Sequence, residues 1–156
     1  VKKIVSKVVL IGDNDPAGQT AIIDHGERLV AAGLNVRVMT LSDGKSKDAD
    51  EYFKYKGNTY DEALAQNTAD FVDFMYQSKM PGVISQNDRL DVINYICGLL
   101  ISYDETLARM YLDKFGKEDK QGKIWNETFY KLRSRSRPTW WRNTGSTCKI
   151  IATTER

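Results

Sequence analysis

The chain has 156 residues, of which 41% are hydrophobic and 28% are charged, and its formal net charge is +2 at pH 7. These proportions are typical of a folded globular protein and exclude an intrinsically disordered chain. The sequence contains no run of about 20 apolar residues and no pattern of a secretory leader, so we expect a cytoplasmic protein without a membrane span. So small a net charge does not by itself indicate nucleic-acid binding.

The first forty residues predict a strand, a helix and a second strand. An apolar, β-branched run over residues 8–11 is typical of a strand buried in a parallel sheet. Asp15 is a good helix N-cap and Pro16 suits the first helical position, which predicts a helix from Pro16 to about Ala32. Residues 35–41 alternate apolar and polar side chains, so we expect a second strand there, nearer the sheet edge. Together these elements predict a βαβ unit.

The remainder of the chain predicts helices, which follow a polar loop over residues 42–50. Apolar residues at helical spacing predict helices over the ranges 51–56, 61–66, 69–79, 86–102 and 104–115. Beyond them the sequence becomes basic and aromatic, and its last fifteen residues show no periodicity. We therefore predict an α/β unit over 1–58, a helical subdomain over 59–115, and a basic, aromatic and partly disordered tail over 116–156.

Two pairs of aspartates follow the two predicted strands. Asp13 and Asp15 come directly after the first strand, and Asp48 and Asp50 lie in the loop after the second. Ligands of open parallel sheets bind at the carboxyl ends of strands, so we expect the four carboxylates at one edge. Crowded carboxylates repel each other, and a divalent cation with oxygen ligands relieves this repulsion. Mg²⁺ is the natural occupant, and such a site suits phosphoryl or nucleotidyl transfer.

Three other interpretations of the first aspartate pair compete with a metal site. In the first interpretation Asp15 is simply an N-cap and Asp13 simply a loop residue. For an isolated D-x-D pair this explains the sequence as well as a metal site does. An EF-hand loop over 13–24 is disfavoured, because it would place Pro fourth, Ala fifth and Asp twelfth. A phospho-acceptor receiver site is also disfavoured, because neither its acceptor strand nor its later lysine-ended strand can be placed in this sequence.

The order of residues resembles the Toprim domain of DnaG-type bacterial primases. Residues 8–19, VVLIGDNDPAGQ, are similar to the second Toprim motif, in which an apolar run precedes a D-x-D-x-A-G turn into a helix. Residues 33–38 resemble the next strand. LSDGK and DADEY, within residues 41–52, resemble the primase segment L-P-x-G-x-D-P-D-E-Y. The chain departs from that segment at two prolines, now Ser42 and Ala49, and by two extra residues, Ser46 and Lys47.

This resemblance implies an α/β fold, namely the C-terminal half of a Toprim domain with a Rossmann-like parallel sheet, followed by an α-helical subdomain. It implies that the ligands of Mg²⁺ or Mn²⁺ are Asp13, Asp15, Asp48 and Asp50. The parent protein would be a DNA primase, a nucleotidyltransferase that makes RNA primers on a single-stranded DNA template from nucleoside triphosphates. A replicative helicase is a further candidate partner.

The Toprim family also uses a glutamate on an earlier strand, and no such strand precedes Asp13 in this sequence. Glu27 cannot replace it, because Glu27 falls in the predicted helix. We therefore expect these residues alone to be inactive, and we expect the shortened sheet to expose an edge that favours self-association. Two alternatives remain: a non-catalytic module that binds nucleic acid or a helicase, and another Toprim enzyme such as a topoisomerase or nuclease. The latter families lack the D-P-D-E-Y-like segment.

Several single residues complete the sequence-based predictions. The candidate nucleic-acid contacts are Lys45, Lys47, Arg133, Arg135 and Arg137, of which the arginines alternate with aromatic residues. A solvated loop or tail explains these basic residues about as well. We expect Gly18 to permit close packing of the first helix rather than to bind phosphate, His25 to lie on a helix surface, and Cys97 to be a buried thiol.

Overall fold

The computed structural model describes residues 6–41, 44–56 and 59–136. In chain order its elements are β1 (Lys7–Ile11), α1 (Pro16–Ala31), β2 (Asn35–Met39), α2 (Ala49–Lys56), α3 (Tyr60–Asn67), β3 (Thr68–Asp70), α4 (Phe71–Lys79), a 3₁₀ turn (Met80–Gly82), α5 (Gln86–Leu100), α6 (Glu105–Glu118) and α7 (Gly122–Ser136). The expected α/β class, a partial Rossmann-like unit followed by helices, is confirmed. Among these residues, no helix combines the length and the apolar character of a membrane span.

The sheet has three strands in the order β1-β2-β3. β1 and β2 are parallel, with Ile11 opposite Met39, so the predicted βαβ unit is confirmed. β3 is antiparallel to β2, with Ala69 opposite Val38, and makes the sheet mixed. The prediction that β2 lies nearer the edge is wrong, because β3 covers its other side and leaves β2 central. β1 forms an edge of the described sheet, and the expected self-association stays a prediction.

Helix α1 begins and ends at residues whose backbone suits those positions. Asp15 has an extended backbone and accepts a hydrogen bond from the Gly18 amide at 2.6 Å, which makes it the N-cap. Pro16 occupies the first helical position, where no amide hydrogen is needed. At the other end Gly33 has a φ of 78°, a left-handed value that glycine adopts without strain. The predicted limits of this helix are therefore confirmed.

One apolar core joins the sheet to the helices. It includes Val36 and Val38 of β2, Phe71 of α4, and residues from α5 to α7. Trp125 and Phe129 of α7 are 0% and 1% exposed, so part of the segment predicted as a tail is a packed helix. The boundaries of the three predicted units otherwise stay a prediction.

A smaller apolar cluster holds α2 and α3 against the end of β2. Its buried members are Met39, Leu41, Tyr52 and Ala63. Tyr52 of α2 is fully buried, and its hydroxyl accepts a hydrogen bond from the Asn67 side-chain amide at 2.8 Å. This cluster matters for the site because it fixes α2, and with it the loop before α2, beside the carboxyl end of the sheet.

Candidate functional site

A cavity of about 470 Å³ lies where the loop after β1 meets the loop before α2. The residues that line it are Asp13, Asn14, Asp15, Lys47 and Asp48. The structure thus brings together three of the four predicted carboxylates, and all three are exposed to solvent. They reach the cavity from the carboxyl ends of two neighbouring parallel strands, which is where ligands of open α/β sheets bind.

Two of these aspartates are also helix N-caps. Asp15 Oδ1 accepts from the Gly18 amide at 2.6 Å, and Asp48 Oδ1 accepts from the Glu51 amide at 2.8 Å. The capping role proposed for Asp15 is therefore real. It does not exclude ion binding, because each of these bonds uses one oxygen of a carboxylate that has two.

The two loops are joined through their backbones. The Asn14 amide donates to the Lys47 carbonyl at 2.9 Å, and the Lys47 amide donates to Glu51 Oε2 at 2.8 Å. Sequence reasoning missed Asn14 and Glu51. A signal was available for Glu51, because a glutamate three residues after Asp48 matches the pattern of a helix capping box.

Gly18 allows the first turn of α1 to lie against the loop that carries Asp13. A Cβ atom at Gly18 would lie 2.3 Å from the carbonyl oxygen of Asp13 and 2.7 Å from its amide nitrogen. Both distances are far below van der Waals contact, so any side chain here would displace the Asp13 backbone. This finding agrees with the predicted packing role of Gly18 and places that role at the site itself.

Asp50 lies apart from the cavity, in the first turn of α2. Its carboxylate pairs with Lys54 Nζ at 2.6 Å, and its side chain is 78% exposed. The hydrogen bond from Lys54 to Asp50, together with the Asp50 charge, raises the pKa of Lys54 above its usual value. A role for Asp50 as a metal ligand stays a prediction.

The cavity suits a cation that keeps several bound waters better than a cation coordinated entirely by protein side chains. Within the described ranges, no three acidic, histidine or cysteine side chains are grouped closely enough to hold a metal ion by themselves. Mg²⁺ commonly keeps several waters and uses only one or two carboxylates, together with substrate phosphates. The hard oxygen donors of Asp13, Asp15 and Asp48 around one open cavity fit an ion of that kind.

The five basic candidates occupy different surroundings. Lys47 lines the cavity, Lys45 is exposed in the same loop, and Arg137 lies outside the described residues. Arg133 on α7 contacts Glu105 Oε2 at 2.7 Å, whereas Arg135 is exposed near the end of that helix. Their roles in nucleic-acid binding stay predictions, and Arg133 already has an acidic partner.

Three other residues lie where the sequence predicted: two on helix α1 and one in the core. His25 is exposed on α1, and Glu27 of the same helix accepts a hydrogen bond from the Tyr95 hydroxyl at 2.5 Å. Cys97 is buried as expected, and burial raises the pKa of its thiol to about 12. None of these residues lines the acidic cavity.

Comparison with known proteins finds similarity over the part of the chain that carries the parallel strands and the acidic cavity. The family described as Toprim-like matches residues 1–53. The DNA primase of Clostridium acetobutylicum is 29% identical over 137 residues, which cover 86% of this chain and 22% of that protein. The DNA primase of Staphylococcus epidermidis is 35% identical over 92 residues, 56% of this chain and 14% of that protein.

The resemblance to the Toprim domain of DnaG-type primases is therefore confirmed. A DNA primase of Staphylococcus aureus is also similar, with 33% identity over 88 residues that make up 14% of its length. The chain spans less than a quarter of the length of each of these relatives. The similarity therefore concerns one part of each relative, and residues 1–53 of this chain within it match the Toprim-like family.

Proposed function

We propose that this chain is the metal-binding part of a DNA primase and that its acidic cavity holds Mg²⁺ or Mn²⁺. The observation that carries the proposal is the single cavity lined by Asp13, Asp15 and Asp48, within a segment that matches the Toprim-like family. The relatives named above are DNA primases, which supports a primase over a topoisomerase or a nuclease.

The acidic and the basic side chains at the cavity would have different parts in nucleotidyl transfer. Asp13, Asp15 and Asp48 would hold a hydrated ion, one or two of them directly and the rest through its waters, and Asp50 would join them only after leaving Lys54. A bound divalent ion neutralises charge that develops on a phosphate during transfer. The Lys47 ammonium, at the same cavity, would attract phosphate oxygens of nucleoside triphosphates or of nucleic acid.

The wider activity belongs to the full-length protein. There the substrates would be a single-stranded DNA template and nucleoside triphosphates, with Lys45, Arg133, Arg135 and Arg137 as candidate contacts to nucleic acid. A replicative helicase as partner and a cytoplasmic location stay predictions. We infer that the 156 residues by themselves do not make primers, because the resemblance requires an acid-base glutamate and no glutamate is among the described residues that line this cavity.

The metal site is tested by calorimetric titration of Mn²⁺ and Mg²⁺ into the wild type and the double variant Asp13→Asn/Asp15→Asn. Asn at position 15 keeps the N-cap of α1, so the fold should persist. Loss of two carboxylates should weaken ion binding by at least about tenfold.

A double variant at Asp24 and Asp61, both changed to Asn, is the matched control. Both aspartates are exposed on helices, neither lines the cavity, and the net charge changes by the same amount. The control should bind Mn²⁺ as the wild type does. Equal affinities for the wild type and the Asp13/Asp15 variant would refute the metal assignment.

A further inference from the structure

Three hydrogen bonds form a loop clamp built from Asn14, Lys47, Asp48 and Glu51. One of them joins the two acidic loops, and the other two tie the second loop to the first turn of α2. The Asn14 amide donates to the Lys47 carbonyl at 2.9 Å. The Lys47 amide donates to Glu51 Oε2 at 2.8 Å, and the Glu51 amide donates to Asp48 Oδ1, also at 2.8 Å. The backbone of one residue, Lys47, is therefore held both at its amide and at its carbonyl, which belong to two successive peptide units.

The loop clamp acts against an electrostatic force. Asp13, Asp15 and Asp48 carry like charges around one cavity, and like charges drive exposed loops apart. Glu51 holds the backbone amide of Lys47, and the carbonyl of the same residue accepts from the backbone amide of Asn14, which lies between the two aspartates of the first loop. The side chain of Glu51 can therefore influence the first loop without reaching the cavity, which it does not line.

We propose that Glu51 is a positioning residue that holds the Asp48 loop against the Asp13–Asp15 loop and thereby sets the affinity for a divalent cation. This inference rests on the proposed metal site. Glu51 is half-buried in the first turn of α2, and that helix is anchored by the fully buried Tyr52. The anchor matters, because a positioning side chain must itself be held by a rigid element.

Two substitutions distinguish positioning from other roles of a carboxylate. Glu51→Gln removes the negative charge but keeps a side-chain carbonyl that can accept from the Lys47 amide. Glu51→Ala removes both. A ligand or a simple source of negative potential would be lost in both variants, whereas a positioning contact would survive in the glutamine variant.

Glu62→Ala is the matched control. Glu62 makes the same kind of contact at the start of α3, where its carboxylate accepts from the Thr59 amide at 3.2 Å, and it does not line the cavity. We expect Glu51→Ala to weaken Mn²⁺ binding on the order of tenfold, as removal of a contact that orients ligands commonly does. Glu51→Gln should stay within about threefold of the wild type, and Glu62→Ala should match it.

A second measurement needs no metal. Amide exchange measured by NMR on the metal-free protein should show faster exchange at Asn14 in Glu51→Ala, and wild-type exchange in Glu51→Gln and Glu62→Ala. If the wild type fails to bind Mn²⁺, the proposed function fails, while the exchange rates still decide whether the loop clamp exists. Wild-type Mn²⁺ affinity and Asn14 exchange in Glu51→Ala would overturn the inference. Equal weakening of binding by the alanine and glutamine substitutions would also overturn it.

Discussion

The acidic cavity and the helical core are held together by different forces. Around the cavity, exposed carboxylates are placed by short polar contacts, such as those of Asp15 with Gly18 and of Asp48 with Glu51. In the helical core, Phe115 and Trp125 are completely buried, and their rings contact each other with centroids 5.5 Å apart. Apolar burial is the dominant source of folding free energy. Substitutions in the helical core should therefore change stability, whereas substitutions around the cavity should change ion binding.

The largest expected effect is on stability, from Trp125→Ala in the helical core. The indole contacts the Phe115 ring, and its Nε1 donates to Asp119 Oδ2 at 3.1 Å. Removal leaves a large cavity and an unpaired acceptor, so unfolding should require about 3–5 kcal/mol less. Urea unfolding followed by circular dichroism measures the change. Tyr130→Ala, at a residue that is 41% exposed, should cost far less, and equal costs would contradict this account of the core.

The next largest effects are expected from alanine substitutions at two helix glycines, which should change the free energy of unfolding in opposite directions. A Cβ atom at Gly26 of α1 would lie 2.1 Å from Cε2 of the buried Phe71 ring, whereas one at Gly98 of α5 would meet nothing within 4 Å. Gly26→Ala should therefore destabilise the protein by about 1–3 kcal/mol through overpacking. Gly98→Ala should stabilise it by about 0.5–1 kcal/mol, because alanine suits a helix interior better. Denaturant midpoints measure both, and changes of the same sign would be inconsistent with this packing.

The smallest expected effect is a change in the pKa of Glu105 on α6, which pairs with Arg133 on the surface of α7. The hydrogen bond from Arg133, helped by the charges of Arg133 and Arg109, lowers the pKa of Glu105 below its usual value. A lowered pKa in the folded state means that this contribution to stability is present above the unfolded-state pKa and is lost as the pH falls through the folded-state pKa.

Arg133→Gln should raise the pKa of Glu105 towards its usual value. The stability of the variant should then depend less on pH in the acid range. NMR titration of the Glu105 carboxyl carbon between pH 2 and pH 6 measures the shift, a range set by the usual glutamate pKa of about 4.3. An unchanged titration would mean that Arg133 does not hold Glu105, and would leave its guanidinium available to nucleic acid. Arg135→Gln, at an exposed position on the same helix, provides the control.

Much of the fold follows from local patterns, and the failures have physical causes. β1, α1 and β2 were predictable from apolar runs and from capping at Asp15. β3 was not, because Thr68–Asp70 is three residues long and too short for any alternation to show. The central place of β2 was missed because Arg37 makes its pattern alternate. Its guanidinium instead remains exposed and donates to the Thr68 carbonyl of β3 at 3.1 Å.

The carboxylates of the site were predictable, but the contacts that orient them were not. Asp13, Asp15 and Asp48 follow strand ends, and strand ends of a parallel pair meet at one edge. The loop clamp depends instead on the backbone of Lys47, one of the two residues that the primase segment lacks. No side-chain pattern reports where a carbonyl points. Similarly, helix α7 was not predicted, because the basic composition of this segment favoured a solvent-exposed tail although Trp125 and Phe129 have helical spacing.

The most direct test of the metal site is a titration of Mn²⁺ into the isotope-labelled protein, followed by the intensities of the amide signals. A paramagnetic ion broadens the signals of nearby nuclei, so the measurement locates the ion as well as detecting it. The account predicts that substoichiometric Mn²⁺ selectively broadens the amides of residues 13–15, 47 and 48. Broadening centred on other exposed carboxylates, such as Asp24 or Glu118, or spread evenly over the protein, would contradict it.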